Sequence, residues 1–426
     1  MEAGTVQCEA DFGTGTTTFK DTLVLSNGTT LRHNNGTGSY NSDVTKVKIN
    51  SGSANWYLDG RCNYLNTLYG AGTLKLYPQG DISRTMLQLK GDEFTGTVDV
   101  ETNGSYTGLN GYDGYMLNLP NGTLNVGSGF TLSTQNVQDG KTTNIRVAKV
   151  TGAGTLTGSG NLYVGSDGDD YFTYSTPCSL KVYKQGTNEM RLTSGKITAA
   201  LYVNGGSVRI NSTSTLAHGE YTTQINNGGR LYGAHYLKNC YINNGGLLDV
   251  CSTTKSTGTS KIDNLITLYA GGYMNMYLRT NGSSTYSSKV TAVTLNLRGN
   301  LNIKPVSDIE GATQVFEPAI GQSFTLWEVT NLKTDESSLV ITLPKLPNGM
   351  GWDTSELLAP KGILKIVKAP LRGDVNDDGL VNGTDIQAVI NFIVEGQYDE
   401  KADVNNDGLV NGTDIQEIIN IIVNAE

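Results

Sequence analysis

Proline is scarce in this chain of 426 residues, with nine in all, and there are only three tryptophans and three histidines. The histidines (His33, His218, His235) are far apart, and no H-E-x-x-H run or Ser/His/Asp arrangement accompanies them. The five cysteines, Cys8, Cys62, Cys178, Cys240 and Cys251, are odd in number and contain no C-x-x-C pair. That excludes a zinc ribbon and a disulfide framework; a Cys240–Cys251 bridge stands as the alternative to unpaired buried thiols. No apolar run approaches the roughly 18 residues of a membrane span. No basic patch points to nucleic acid. The opening Met-Glu-Ala-Gly lacks the basic and apolar segments of a secretion signal, which leaves a cytosolic protein or the mature part of an exported one.

Glycine, by contrast, is plentiful: 53 residues, roughly twice the usual share of about 7%. Apolar residues alternate with polar ones in short runs, the pattern of half-buried strands and not of disorder. Charge is concentrated at one end. Residues 371–426 hold twelve acids and two bases, a balance of −10 in a chain of net charge −9. Such a tail calls for cations.

Within it, Asp374-Val-Asn-Asp-Asp-Gly-Leu-Val-Asn-Gly-Thr-Asp385 recurs 29 residues later as Asp403 to Asp414, differing at one position in twelve. A calcium ion takes six to eight oxygens from alternating positions of a tight loop. Asp374, Asn376 and Asp378 supply the first three, the Leu380 carbonyl follows, Asn382 reaches through water and Asp385 closes the set. Asp403, Asn405, Asp407, Leu409, Asn411 and Asp414 repeat it, so two calcium ions are expected. Gly379 and Gly408 take the sharp bends. After each loop an apolar stripe follows helical spacing: Ile386, Val389, Ile390, Ile393 and Val394, then Ile415, Ile418, Ile419, Ile422 and Val423.

These loop–helix repeats closed by Asp resemble type I dockerins, modules that plug proteins into cohesin domains of cellulosome-like assemblies. The resemblance covers residues 371–426. It implies a cohesin partner, an extracellular or bacterial cell-surface location with the signal peptide removed, and partner selection by the two residues before each closing Asp. Here these are Gly383 and Thr384, and Gly412 and Thr413. Their identity in both halves implies a second docking orientation, rotated by a half-turn.

Upstream, strand–turn–strand units recur: Leu201 to Ile210, Gln224 to Tyr232 and Tyr241 to Val250, with Asn-Gly-Gly turns starting at Asn204, Asn227 and Asn244. Spacings near 20 with strand patterning indicate a solenoid; hairpins are the rival, because Asn-Gly also favours them. The pattern resembles the autotransporter-associated repeats of right-handed parallel β-helices. The expected fold is therefore mainly β, with a small all-α dockerin at the end. The division is 1–300 solenoid, 301–369 β-rich cap and 371–426 docking module. The cap expectation rests on Phe324 to Trp327, Leu346 to Thr354 and Gly362 to Val367, which resemble the segment ending such proteins.

No local motif announces an active site. Asp167, Asp169 and Asp170 read as a solvated turn, with a calcium or general-base site as the alternative. Leu-Tyr pairs at 68–69, 76–77, 162–163, 201–202, 231–232 and 268–269 put each Tyr outside if each Leu is inside. The resulting ring column is either a protective ladder or a sugar-stacking surface. Asn-Gly-Thr triplets at Asn27, Asn35, Asn121, Asn382 and Asn411 match the glycan acceptor pattern and follow from composition. The expected role of the solenoid is a non-catalytic, adhesin-like or polysaccharide-contacting surface. The alternative is a polysaccharide lyase or glycoside hydrolase, whose carboxylates would come from different rungs.

Overall fold

The computed structural model describes residues 5–8, 22–33, 40–42, 46–59, 62–79, 86–105, 107–111, 114–134, 143–192, 197–210, 222–233, 235–252, 255–347 and 349–424. His218 and the Asn35 triplet lie outside them, as do the side chains of Cys8, Cys62, His33 and His235.

Up to residue 368 the described residues form strands joined by turns, with no α-helix among them, and most pairing is parallel. From residue 161 to Asn281, consecutive strands enter alternate sheets; Ser284–Ser287 then pairs antiparallel with Tyr273–Asn281. One sheet stacks Asn161–Val164, Lys181–Lys184, Leu201–Val203, Thr222–Ile225, His235–Ile242, Thr259–Leu268 and Lys289–Leu297, each parallel to the next. The other stacks Tyr171–Tyr174, Glu189–Leu192, Gly206–Ile210, Gly229–Gly233, Leu247–Val250, Tyr273–Asn281 and Asn300–Pro305. Strands flanking an Asn-Gly-Gly turn therefore go to different sheets, which removes the hairpin reading of those turns. In the N-terminal half, two parallel ladders merge in the long strand Tyr115–Val126. Its first part pairs with Met86–Lys90 and its second with Thr97–Val100.

Register turns alternation into core. Along one column, Leu162, Val182, Leu201, Thr223, Cys240, Ile266 and Leu295 lie strand over strand, and all are buried. All six leucines of the Leu-Tyr pairs are buried too, at 2% exposure or less. The parallel column Val164, Lys184, Val203, Ile225 contains one surprise. Lys184 is buried, and its ammonium donates to the carbonyls of Gln185 (2.6 Å), Gly186 (3.3 Å) and Gly205 (3.3 Å).

The corners have their own ladder. Asn243 donates to Asn226 and Asn226 to Asn204, both at 2.6 Å through side-chain amides. At the second glycine of two turns a side chain has no room. A Cβ on Gly229 would lie 2.1 Å from the Val203 carbonyl oxygen, and one on Gly246 2.2 Å from that of Ile225.

Parallel stacking continues through Ser323–Thr334 and Val340–Thr342. Antiparallel pairing then takes over: Lys361–Lys368 lies between Ser323–Thr334 and Met350–Asp353. Trp327 is buried there, donating to the Ala359 carbonyl at 2.9 Å, while Phe316, Phe324 and Trp352 form an aromatic cluster. Cys178, Cys240 and Cys251 are free and buried, so no Cys240–Cys251 bridge forms; Cys240 lies in one sheet, while Cys251 follows a strand of the other. Burial pushes the thiols of Cys240 and Cys251 up to about 12.

Two helices close the chain, α1 (Gly383–Glu395) and α2 (Gly412–Asn424). Among the described residues, no helix is long and apolar enough to cross a membrane.

Candidate metal centre

Each repeat builds its loop around buried carboxylates. Asp385 is fully buried at the start of α1. One of its oxygens accepts from the backbone N–H groups of Val375 (2.8 Å) and Asn376 (3.2 Å), the other from Asn382 (2.9 Å). Asn382 is the helix N-cap, and its side chain accepts from Thr384 N–H, so cap and closing Asp form a capping box. Asp414 does the same in the second loop, accepting from Asn405 (3.1 Å) and Asn411 (2.9 Å). The bends come from Gly379 and Gly408 at φ +84° and +85°, and from Asp377 and Asn406, whose φ near +58° suits Asp and Asn better than other side chains.

The remaining expected ligands sit as follows. Asp374 accepts from Gly379 N–H at 2.8 Å, and Asp403 from Gly408 N–H at 2.8 Å. Asn376 and Asp378 are joined at 3.0 Å, as are Asn405 and Asp407. Leu380 and Leu409 have exposed side chains, and Asn411 accepts from Thr413 N–H. Among the described residues no three Asp, Glu, His or Cys side chains converge into a metal-holding group. A cation in either loop would therefore draw on amide and carbonyl oxygens beside the carboxylates.

One atom tests whether the loop suits a cation. The Oδ1 of Asp374 is buried with no hydrogen-bond partner. A desolvated carboxylate oxygen is costly unless something positive or a donor meets it. An all-oxygen set in an acidic loop meets the demands of a hard divalent ion. The donor set thus fits calcium.

The two halves are near-copies in sequence but not in contacts. Asp377, at the one position where the repeats differ, forms an ion pair with Lys401. Arg372 instead pairs with Glu417 at 2.9 Å and donates to the Val404 carbonyl at 2.9 Å. Tyr398 donates to Asp403 at 3.1 Å; the matching position of the first half is Ala369.

The family model of the dockerin type I domain matches residues 372–423. This C-terminal part of the chain is a type I dockerin. No curated protein matches the chain.

The dockerin's apolar stripes are only half used. Val389 and Ile418 are buried in a small core with Val375, Ala402 and Val404. At the outer edge of the stripes, Val394 is 80% exposed and Val423 71%. These two occupy equivalent positions of the repeat, as do the exposed Leu380 and Leu409. Thr384 and Thr413 stand exposed beside the loops, each hydroxyl within 2.8 Å of its loop's first Asn side chain.

Elsewhere, the acidic turn at Asp167, Asp169 and Asp170 is tied down by an ion pair of Asp170 with Lys149 at 2.5 Å. The hydrogen bond from Lys149 holds Asp170 below the usual carboxylate range. Tyr163, Tyr183 and Tyr202 stack at 5.0 and 4.5 Å. Rings stacked on one another give their faces to each other, and sugar stacking needs an open face. This part of the column is a ladder.

Two further groupings of acids stand outside the dockerin. Asp99 and Glu101 share one strand face and a hydrogen bond; burial, then the Asp99 charge, raises the Glu101 carboxyl above its ordinary value. Glu189 and Asp249 lie three strands apart in the second sheet, roughly 14 Å at about 4.8 Å per strand. Sequence spacing carries no sign of the partners of Glu189 and Asp249, the hydroxyls of Tyr232 and Tyr277.

Proposed function

We propose that this chain is an extracellular or cell-surface bacterial protein that docks through its dockerin onto a cohesin partner in a cellulosome-like assembly. Two calcium ions order the module: Asp374, Asn376, Asp378, Asp385 and the Leu380 carbonyl hold the first, and Asp403, Asn405, Asp407, Asp414 and the Leu409 carbonyl the second. Asn382 and Asn411 complete the sets through water. Gly383, Thr384, Gly412 and Thr413, with the exposed apolar positions, form the surface the partner reads. Residues 1–300 are a right-handed parallel β-helix and 301–369 its cap, together a non-catalytic, adhesin-like or carbohydrate-contacting surface.

The observation that carries the docking reading is the near-identical pair of loops with buried closing carboxylates, in a module that leaves equivalent valines exposed on both helices. Capture of the full chain on an immobilised cohesin, in calcium and in chelator, tests it. Asp385→Asn combined with Asp414→Asn should abolish capture, because both closing carboxylates are lost. Capture that survives both the chelator and the double variant would remove calcium-dependent docking.

The rival, a dockerin-anchored polysaccharide lyase or hydrolase, has less geometric support. Glycoside hydrolysis uses carboxylates about 5–9.5 Å apart. Asp99 and Glu101 are hydrogen-bonded to each other, which is too close, and Glu189 and Asp249 are too far apart. Release of reducing ends or unsaturated products from plant or host polysaccharides, lost on replacing one of these acids, would overturn the non-catalytic reading.

A further inference from the structure

In the sheet that stacks Asn161–Val164, Lys181–Lys184 and Leu201–Val203, tyrosine lies over tyrosine. Tyr163 pairs in register with Tyr183, and Tyr183 with Tyr202. All three are half-buried. The ring centroids of Tyr163 and Tyr183 are 5.0 Å apart with planes 23° from parallel, and those of Tyr183 and Tyr202 are 4.5 Å apart at 6°. These separations follow the roughly 4.8 Å between strands, so the backbone ladder itself keeps the rings together. Burial, the neighbouring phenols of Tyr202 and Tyr163, and a hydrogen bond with Tyr202 raise the Tyr183 phenol above its ordinary value. The hydroxyl ends of Tyr183 and Tyr202 therefore lie together.

Parallel phenols with their hydroxyls at one end are set up for radical coupling. A phenol that gives up an electron also releases its proton, and the unpaired electron spreads over the oxygen and the ring carbons ortho and para to it. In tyrosine the side chain blocks the para carbon, which leaves the ortho carbons, Cε1 and Cε2. Stacking in register sets such a carbon of Tyr183 against its counterpart on Tyr202. The usual first target of an oxidant is a thiolate that solvent can reach. Cys178, Cys240 and Cys251 are buried, and burial pushes their thiols up to about 11, 12 and 12, so none of them competes with the phenols near neutral pH.

From this geometry we propose that Tyr183 and Tyr202 are a site of oxidative cross-linking, joined Cε to Cε as dityrosine by hydrogen peroxide and a haem peroxidase. Each ring gives one electron and its phenolic proton, and the carbon–carbon bond forms between the two radicals. The hydrogen on each coupled carbon then moves to the oxygen, which restores both phenols. Peroxide takes up the two electrons and two protons and leaves as two waters. The bond ties consecutive rungs of the stack and restrains the unfolded chain as a disulfide would. Tyr57 and Tyr77, in register and stacked at 4.9 Å and 20°, form a second, less parallel pair. Tyr241 and Tyr269 are a built-in control, with centroids 6.3 Å apart and Tyr241 in register with Thr267 instead. The proposal is independent of docking and of any carbohydrate.

The test treats the full chain, in dilute solution, with hydrogen peroxide and a haem peroxidase. A parallel sample receives light, ruthenium tris-bipyridyl and persulfate, a one-electron oxidant small enough to reach half-buried rings. Trypsin releases Tyr183 and Tyr202 on separate peptides, residues 182–184 and 197–209. Mass spectrometry should find these two peptides joined and lighter than their sum by two hydrogens, with dityrosine fluorescence in a chain that still runs as a monomer on a denaturing gel. The joined pair should exceed any product of Tyr241 with Tyr269. The cross-linked chain should show a higher urea midpoint than the untreated one. Tyr202→Phe keeps the ring and removes the phenol, so it should lose both the joined peptide and its part of the midpoint shift. The measurement on the native chain does not depend on the variant folding. Absence of the joined peptide under both oxidants, a yield no greater than that of Tyr241 with Tyr269, or dityrosine found only in dimerised chains would each overturn the proposal. A cross-linked chain with an unchanged midpoint would overturn the restraining role of the bond.

Discussion

Lys184 occupies a position in which its column neighbours are Val164 and Val203. Burial lowers its ammonium from 10.5 to about 8, so the unfolded chain holds this proton more tightly than the folded one. Between about pH 8 and 10.5 the unfolded state binds more protons, and this residue's contribution makes stability rise with pH. Urea midpoints across that range should show the slope in the parent and lose it in Lys184→Met. The variant should also cost about 1–3 kcal/mol for carbonyls left without a donor. Glu101 has the opposite sign. Its carboxyl is raised by burial and by Asp99, so the stability it contributes is present at low pH and lost as pH rises through the raised value. Glu101→Gln should therefore raise the melting temperature near neutrality and leave it unchanged below the carboxylate range. Neither residue was legible as special. In Lys181-Val-Tyr-Lys184 the period of two does put Lys184 on the face of Val182, but only the carbonyls around the corner explain how a cation stays there.

At the scale of elements, the Asn-Gly-Gly turns were readable from sequence as tight bends between strands, but not which sheet each flanking strand joins. The amide ladder through Asn204, Asn226 and Asn243 was not, because turn residues that stack do so across intervals of 22 and 17 residues. Asn226→Ala breaks both links of that ladder and should cost about 1 kcal/mol, seen as a lower urea midpoint with unchanged slope. The helices teach the reverse lesson. Spacing marks five apolar positions on each, yet only Val389 and Ile418 among them are fully buried. Two short helices and two loops have too little volume to cover both stripes, so the outer edge of each stays at the surface.

For the whole molecule, turn spacing pointed to a solenoid with hairpins as the rival, the resemblance to parallel β-helix repeats supplied the parallel stacking, and the repeat sufficed to foresee the loops. Which acids and arginines meet was not legible, because register brings together residues such as Glu189 and Tyr232, 43 positions apart. The division into a long core and a small separate one has a thermal consequence. Calorimetry should resolve two transitions, with only the dockerin's shifting on chelation. Calcium at a hundred times its dissociation constant is worth about 2.7 kcal/mol to the smaller unit. If both transitions move together, the two cores are one cooperative system.

The strand Lys361–Lys368 is the last element before the first loop begins at Asp374, and it lies between two antiparallel neighbours. If the dockerin is held and the stack is tugged, the whole load passes through this one strand. Pulled along its axis, it is loaded in shear, with both ladders resisting together instead of opening one bond at a time. The buried Leu364 and Ile366 on its inner face must leave the core for it to slip. This strand thus doubles as a mechanical anchor, set where tension on the dockerin would enter the stack.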